Sequence, residues 1–169
     1  MNLLVEDLLH LAQSEDENII FQKTLVNITE ALEGLLISLE AIAYEKQIVF
    51  ENRIEKNLTT IGDSVIIKQI LMILLDNGIK YAPKGNRMKI ALIDTGKYLK
   101  FTIINSSVPS QMIDENKIFN SFCRADSSRE HSQGGYGLGL AIAKSFIEKL
   151  GGVFPLMKVM EKLYLQYFF

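Results

Sequence analysis

The stretch QILMILLDNGIKYAP, which runs from Gln69 to Pro83, determines how the rest of the chain can be arranged. From Ile66 to Leu75 almost every position is apolar, and the run has helical length and few turn residues. A helix that is apolar nearly all round is a buried helix. The sequence therefore predicts that a buried helix lies at the centre of the fold.

Three polar side chains follow the apolar run, namely Asn77, Lys80 and Tyr81. Their spacings of three and four residues place them on one side of the helix. An amide oxygen, an ammonium and a phenol suit a magnesium-bound polyphosphate, because Mg²⁺ takes few protein oxygens and several from phosphate and water. A helix end that has simply reached solvent would show the same residues, so both interpretations stay open on this stretch alone.

A second stretch, GGYGLGLAIAK from Gly134 to Lys144, passes directly from a glycine cluster into an amphipathic helix. Such a junction places free backbone N–H groups and the positive end of a helix dipole at one point, which favours phosphate. Glycine turns before helices are common, so this stretch alone is a weak signal. The hypothesis requires that the amide of Asn77 and the start of this helix lie together in the fold.

Between them lies FNSFCRADSSR, from Phe119 to Arg129. In order and separation, the three stretches resemble the catalytic, ATP-binding domain of bacterial sensor histidine kinases. Residues 69–83 resemble the N box of that family, residues 118–124 its F box and residues 135–141 its second glycine box. The resemblance covers roughly residues 1–152. It implies an α+β fold, a two-layer α/β sandwich with a mixed sheet and helices on one face.

The resemblance also implies functional residues. Asn77 is similar to the family's Mg²⁺ ligand, Lys80 to its phosphate contact and Arg124 to the arginine that neutralises phosphoryl charge; these three form the expected catalytic set. Tyr81 is expected beside the ribose or base. Phosphoryl transfer is mainly positioning plus charge stabilisation, so one metal, one lysine and one arginine at the phosphates are the parts required. The remaining expected nucleotide-binding residues are Asn105, Ser107, Gly135, Gly137, Leu138, Gly139 and Leu140.

The first glycine box departs from the family's usual Asp-x-Gly-x-Gly pattern, because Asn105-Ser-Ser107-Val-Pro109 stands there. The carbonyl of Asn105 can still accept a hydrogen bond from the adenine amine. It carries no charge, so this bond is expected to be weaker than one to a carboxylate. Ser107 occupies a glycine position and narrows the backbone freedom there.

Two further departures affect the functional hypothesis. Ile73 stands where the family's N box usually begins with another asparagine, which casts doubt on catalytic rate more than on binding. Residues 152–169 contain no Gly-Thr pair, whereas the family has a Gly-Thr box there. The apolar end of this tail must be buried, since it would otherwise favour aggregation.

Local signals give the other elements. Asn27 and Glu30 fit a capping box that opens a helix to about Lys46, and Asp63 is the expected N-cap of the central helix. The last long helix is predicted over Tyr136–Leu150, and a short one over 115–122. Strands are predicted at Ile19–Leu25, Ile48–Ile54, Leu58–Ile61, Met88–Ile93, Leu99–Ile104, Val153–Met157 and Leu163–Phe168.

The beginning of the chain carries an apolar helical stripe formed by Leu4, Leu8 and Leu11. It resembles the end of the second helix of the kinase dimerisation hairpin. We therefore expect residues 1–14 to be the tail of that helix, through which a homodimer could form, and residues 15–169 to be the catalytic domain. His10 is expected to be a helix-surface histidine, because the family's acceptor histidine lies on the preceding helix.

Composition excludes several classes of protein. The formal net charge of −2 gives no reason to expect a nucleic-acid partner. Cys123 is the single cysteine, which excludes a disulfide framework and a thiolate metal site. No apolar run in the sequence is long enough to span a bilayer. A cytoplasmic location is expected, with any membrane anchor in the parent protein.

Two functional hypotheses follow. In the first, the chain binds ATP and Mg²⁺ and transfers the γ-phosphoryl group to a histidine on a dimerisation domain absent from it, from which a response regulator receives it. Autophosphorylation by this chain alone is not expected. In the second, it is a degenerate, non-catalytic nucleotide-binding or dimerisation module, as Ile73 and the altered boxes would suggest. A hydrolase of the gyrase or MutL type would require a glutamate at position 73 and is discounted.

Overall fold

The computed structural model of the protein describes residues 20–106, 138–152, 156–159 and 162–168. These residues form three helices, α1 (Ile28–Glu45), α2 (Ser64–Tyr81) and α3 (Gly139–Lys149). They also form seven strands, β1 (Thr24–Asn27), β2 (Val49–Ile54), β3 (Thr59–Gly62), β4 (Arg87–Asp94), β5 (Leu99–Ser106), β6 (Leu156–Val159) and β7 (Lys162–Phe168).

The main sheet has five strands in the order β2-β4-β5-β7-β6. Strands β2 and β4 run parallel, whereas β4–β5, β5–β7 and β6–β7 are antiparallel pairs. A separate two-stranded sheet pairs β1 with β3. The predicted mixed sheet is therefore confirmed.

The helices cover one face of the main sheet, and the core lies between the two layers. On β4 the side chains of Met88, Ile90 and Leu92 alternate with more exposed neighbours and are buried. Phe101 and Ile103 on β5 are buried opposite Leu92 and Ile90. This alternation is typical of a sheet with one face packed on a core. The predicted α+β, two-layer sandwich is confirmed.

Helix α2 is the central buried element. Its residues Ile70, Leu71, Leu74 and Leu75 have no solvent-exposed surface. Asp63 caps its first turn, since its Oδ1 accepts hydrogen bonds from the backbone N–H groups of residues 65 and 66 at 3.0 and 3.3 Å. The predicted buried helix and its cap are both confirmed.

The predicted start of α1 is also confirmed. Oδ1 of Asn27 accepts a hydrogen bond from the N–H of Glu30 at 3.1 Å, which satisfies one of the free donors of the first turn. In the same first turn, the buried hydroxyl of Thr29 donates to the carbonyl of Glu55 at 2.7 Å and accepts from the N–H of Leu58 at 3.0 Å. These bonds fix α1 to the turn between β2 and β3.

Several boundaries differ from the predicted ones. The first strand was predicted at 19–25 but forms at 24–27, because its ladder is limited to the four residues that pair with β3. Strand β6 covers 156–159 rather than 153–157, of which 153–155 lie outside the described residues. Helix α3 starts at Gly139, and positions 136–137 of its predicted range are not described.

The tail of the chain lies inside the main sheet. Strand β7 pairs with β5 on one side and with β6 on the other, so its backbone forms ladders in both directions. The predicted strand at 163–168 is confirmed, and it is not an exposed edge. In the described part of the chain, no helix is both long and apolar enough to cross a membrane. The predicted helices at the N-terminus and at 115–122 lie outside the described residues.

Candidate nucleotide-binding site

The end of α2 and the start of α3 lie against each other. A Cβ atom placed on Gly139, the first residue of α3, would lie 3.6 Å from Nδ2 of Asn77 and 3.2 Å from Cγ2 of Ile73. Glycine at this position leaves the backbone of α3 close to the amide of Asn77. The structure thus brings together the two stretches that the sequence analysis placed at one site.

The first turn of α3 has no side-chain cap. Its N-cap residue, Leu138, forms no capping hydrogen bond, and its side chain is completely buried. The first turn contains no acidic residue. The unpaired N–H groups of a helix start carry partial positive charge and bind anions. Leu138 and Leu140 can therefore serve a ligand through their backbone rather than through their apolar side chains.

Ile73 fills space between α2 and α3. It lies one turn before Asn77, is half-buried, and its Cγ2 is the nearest atom to a Cβ at Gly139. An apolar side chain at this position packs the two helices together but offers no polar atom to a water or a metal. Ile73 therefore has a packing role between α2 and α3, at the position where the family usually has an asparagine.

Asn105 lies at the end of β5 beside the last turns of α2. Its side chain is 5% exposed, and its Nδ2 donates a hydrogen bond to the carbonyl oxygen of Gly78 at 2.6 Å. Its Oδ1 is buried and has no hydrogen-bond partner among the described residues. An acceptor of this kind needs a donor, because an unpaired buried polar atom costs free energy.

The close approach of α2 to the sheet depends on Gly78. A Cβ atom there would lie 2.9 Å from Sδ of Met88 and 3.4 Å from Cγ2 of Ile103. The absence of a side chain lets the helix lie near enough to β5 for Asn105 to reach its backbone. The sequence analysis did not assign a role to Gly78, although a glycine inside a buried apolar helix is a signal of close packing.

The last turn of α2 carries Lys80 and Tyr81. Nζ of Lys80 lies 5.8 Å from the centroid of the Tyr81 ring, and the tyrosine is 53% exposed. Nζ of Lys46, at the end of α1, donates hydrogen bonds of 3.1 Å to the carbonyls of Ile79 and Lys80. An ammonium at a helix C-terminus interacts favourably with the helix dipole. The sequence analysis missed Lys46 in this capping role, because nothing local links residues 46 and 80.

Four predicted site residues, Ser107, Arg124, Gly135 and Gly137, lie outside the described residues, so their roles remain predictions. No group of three or more metal-binding His, Cys, Asp or Glu side chains occurs in the part of the chain that the structure describes. The single amide of Asn77 beside the start of α3 is compatible with Mg²⁺ that is held mainly by nucleotide and water.

Comparison with known families gives the same assignment. Residues 62–162 match the family described as histidine kinase-, DNA gyrase B- and HSP90-like ATPases, which is more than half of the chain. The chain belongs to this ATPase family. The match includes the whole of α2, β4, β5, α3 and β6, and it ends at the first residue of β7.

Within the ATPase family, the chain is similar to sensor histidine kinases. It is 34% identical over 151 residues to sensor histidine kinase HprS of Escherichia coli, which covers 88% of this chain and 32% of HprS. The chain thus spans about a third of the length of the curated relatives it matches. Histidine kinase AdeS of Acinetobacter baumannii has the same fold, with a TM-score of 0.80 at 23% identity over 98% of this chain and 76% of that one.

Proposed function

We propose that this chain is the ATP-binding, catalytic part of a two-component sensor histidine kinase. The observation that carries the proposal is the contact between the Asn77 amide and the first turn of α3, where a candidate metal ligand lies beside a helix N-terminus that its N-cap residue, Leu138, does not cap. Its membership of the ATPase family and its similarity to named sensor histidine kinases support the same function.

In the proposed site, each residue binds one part of the nucleotide. The amide oxygen of Asn77 holds Mg²⁺, the N–H groups of Gly139 and Leu140 bind phosphate oxygens, and Lys80 adds positive charge. Arg124, Ser107, Gly135 and Gly137 complete the phosphate and base contacts. The Mg²⁺ that Asn77 would hold would supply positive charge beside the phosphates. Oδ1 of Asn105 accepts the hydrogen bond of the adenine amine, and Tyr81 lies beside the ribose or base.

The proposed reaction transfers the γ-phosphoryl group of ATP to an imidazole nitrogen of a histidine on the dimerisation domain of the kinase. A P–N bond forms as the bond between the γ-phosphorus and the β–γ bridging oxygen breaks, and ADP leaves. The partners are that dimerisation domain and a response regulator, on the cytoplasmic side of the membrane. The solved complex of histidine kinase ThkA with response regulator TrrA supports the response regulator as a partner, and the structure of ShkA with AMPPNP supports an ATP-like ligand.

A two-step experiment tests the proposal. First, the chain is titrated with ATP in the presence and absence of Mg²⁺, and its thermal midpoint is recorded. A ligand that binds only the native state stabilises it by RT ln(1 + [L]/Kd), which is about 2.7 kcal/mol at a hundredfold excess over Kd. We expect a magnesium-dependent rise with ATP concentration, and a flat midpoint would overturn the proposal.

Second, a separate dimerisation hairpin that bears the acceptor histidine is added with γ-labelled ATP. Labelling of this hairpin, but not of a control hairpin whose acceptor histidine is replaced by alanine, supports the catalytic function. The alternative, a nucleotide-binding module without catalysis, is favoured by the apolar contact of Ile73 at the helix interface. If the chain binds Mg-ATP but labels no cognate hairpin, the result would establish that alternative.

A further inference from the structure

We infer that the carbonyl of Gly78 holds the Asn105 amide in one orientation, in which Oδ1 rather than Nδ2 is left for the base of the nucleotide. The inference rests on the proposed function, in which Asn105 meets the base. It adds a positioning residue, Gly78, which acts through Asn105 rather than on the nucleotide. The decisive contact is the 2.6 Å hydrogen bond from Nδ2 of Asn105 to that carbonyl.

An asparagine amide has a donor end and an acceptor end, and a free amide can turn to present either one. A freely turning Asn105 would pair with the 6-amino group of adenine through Oδ1 and with a 6-keto group through Nδ2. The carbonyl of Gly78 is an acceptor only, and it lies in the backbone of α2, where it cannot turn. It therefore holds Nδ2 and leaves Oδ1 as the end that a ligand can meet.

Two properties of the surroundings keep the amide in this orientation. Asn105 is 5% exposed, so water cannot readily replace the bond that a turned amide would lose. Turning the amide would also place its oxygen 2.6 Å from the Gly78 carbonyl oxygen, which is a repulsive contact between two acceptors. Oδ1 has no hydrogen-bond partner among the described residues. Its donor therefore has to come from a group other than these residues, such as a bound ligand.

The fixed orientation of Asn105 also predicts the effect of restoring the family's usual aspartate. A carboxylate would keep an acceptor for adenine but would lose the donor to Gly78, and it would bring a negative charge against a carbonyl oxygen. Burial of a charge without a partner is costly. We therefore expect Asn105→Asp to weaken ATP binding at neutral pH, although a carboxylate is the stronger acceptor of the two groups.

The first test uses the unmodified chain. Its affinities for Mg-ATP and for the matched analogue Mg-inosine triphosphate, which has a keto group at position 6, are measured by calorimetric titration. We expect ATP to bind at least about tenfold more tightly, the factor that corresponds to about 1.4 kcal/mol. Affinities within twofold of each other would show that the amide turns freely and would overturn the inference.

The second test compares Asn105→Asp with Asn52→Asp, a control that adds the same charge at an exposed position of β2. We expect only Asn105→Asp to lower the thermal midpoint of the nucleotide-free chain, by several degrees, and to lower the affinity for ATP by about tenfold. Equal or tighter ATP binding by Asn105→Asp would overturn the inference and leave the proposed function intact. Absence of ATP binding by the unmodified chain would overturn both.

If Asn105→Asp does not fold, Asn105→Ala replaces it. This variant removes both ends of the amide without adding a charge. We expect it to bind ATP and inosine triphosphate with similar affinity, since the acceptor that distinguishes them is absent. An unchanged preference for ATP in Asn105→Ala would overturn the inference.

Discussion

Two amide side chains define the candidate site, and their environments differ. Asn77 is half-buried, and its Nδ2 lies 3.6 Å from the position of a Cβ on Gly139. Asn105 is buried and hydrogen-bonded to the backbone of the residue that follows Asn77. The first amide can therefore meet a metal-bound phosphate at the helix interface, whereas the second is held in the core layer. Two adjacent residues of α2, Asn77 and Gly78, therefore connect the metal end and the base end of the proposed nucleotide site.

At the residue scale, we expect Asn77→Ala to abolish magnesium-dependent binding of ATP. The substitution removes the amide oxygen that is proposed to hold the metal, while a half-buried position at the end of α2 tolerates a smaller side chain. The measurement is calorimetric titration with Mg-ATP, accompanied by a urea unfolding curve of the free chain.

Asn52→Ala, on an exposed position of β2, is the control for Asn77→Ala and should bind Mg-ATP as the unmodified chain does. The same affinity for Mg-ATP in Asn77→Ala and in the unmodified chain would contradict the role assigned to Asn77.

At the element scale, the position of α2 against the sheet depends on close contact at Gly78. Gly34 in α1 is also a helical glycine, but a Cβ there would have no neighbouring atom within 4 Å. Alanine is favoured over glycine in a helix interior by about 1 kcal/mol. We expect Gly34→Ala to raise the free energy of unfolding by about 0.5–1 kcal/mol.

Gly78→Ala gains the same helix propensity but forces Met88 to move, because its Sδ would lie 2.9 Å from the new Cβ. The displaced atom belongs to a flexible side chain, so we expect a cost near the low end of the range of about 1–3 kcal/mol for core overpacking and a net effect near zero. Urea unfolding of both variants gives the comparison. Equal stabilisation by the two substitutions would show that the approach of α2 to β4 does not depend on the glycine.

The end of α2 depends on a residue of another helix. Because Nζ of Lys46 donates to the carbonyls of Ile79 and Lys80, we expect Lys46→Met to lower the free energy of unfolding by about 1–2 kcal/mol. It should also weaken nucleotide binding, since the turn it caps carries Lys80 and Tyr81. Lys56→Met, at an exposed turn, is the matched control and should change stability by less than about 0.5 kcal/mol. Similar effects of the two substitutions would contradict the capping role.

For the whole molecule, the sequence predicts those structural features that are determined by residues close together along the chain. The caps at Asn27 and Asp63 and the buried helix α2 were predicted because each has a local signal of spacing and residue type. The hydrogen bond between Asn105 and Gly78 joins residues 27 positions apart, and its existence depends on the distance between a helix and a strand. No local pattern encodes that distance, so the orientation of the amide became visible only in the structure.

The position of the tail shows the same limit at the scale of the sheet. The periodicity of residues 163–168 predicts a strand, but it contains no information about which strand is its neighbour. Because β7 lies between β5 and β6, the end of the chain completes the sheet that carries Asn105 at the end of β5. The candidate site therefore depends on a strand formed by the last described residues of the chain.

At this scale we expect Leu165→Pro to prevent cooperative folding. Residue 165 pairs with Ile103 on β5 and with Leu156 on β6. Its backbone N–H therefore faces a paired strand on either side of β7. Proline removes that donor and is tolerated mainly in edge strands. A loss of about 3 kcal/mol or more is a large part of the 5–15 kcal/mol that stabilises a typical domain. Leu165→Ile, which keeps the backbone donor, is the control and should retain a cooperative urea transition. If Leu165→Pro unfolds at the same urea concentration as the unmodified chain, β7 is not part of the cooperatively folded core.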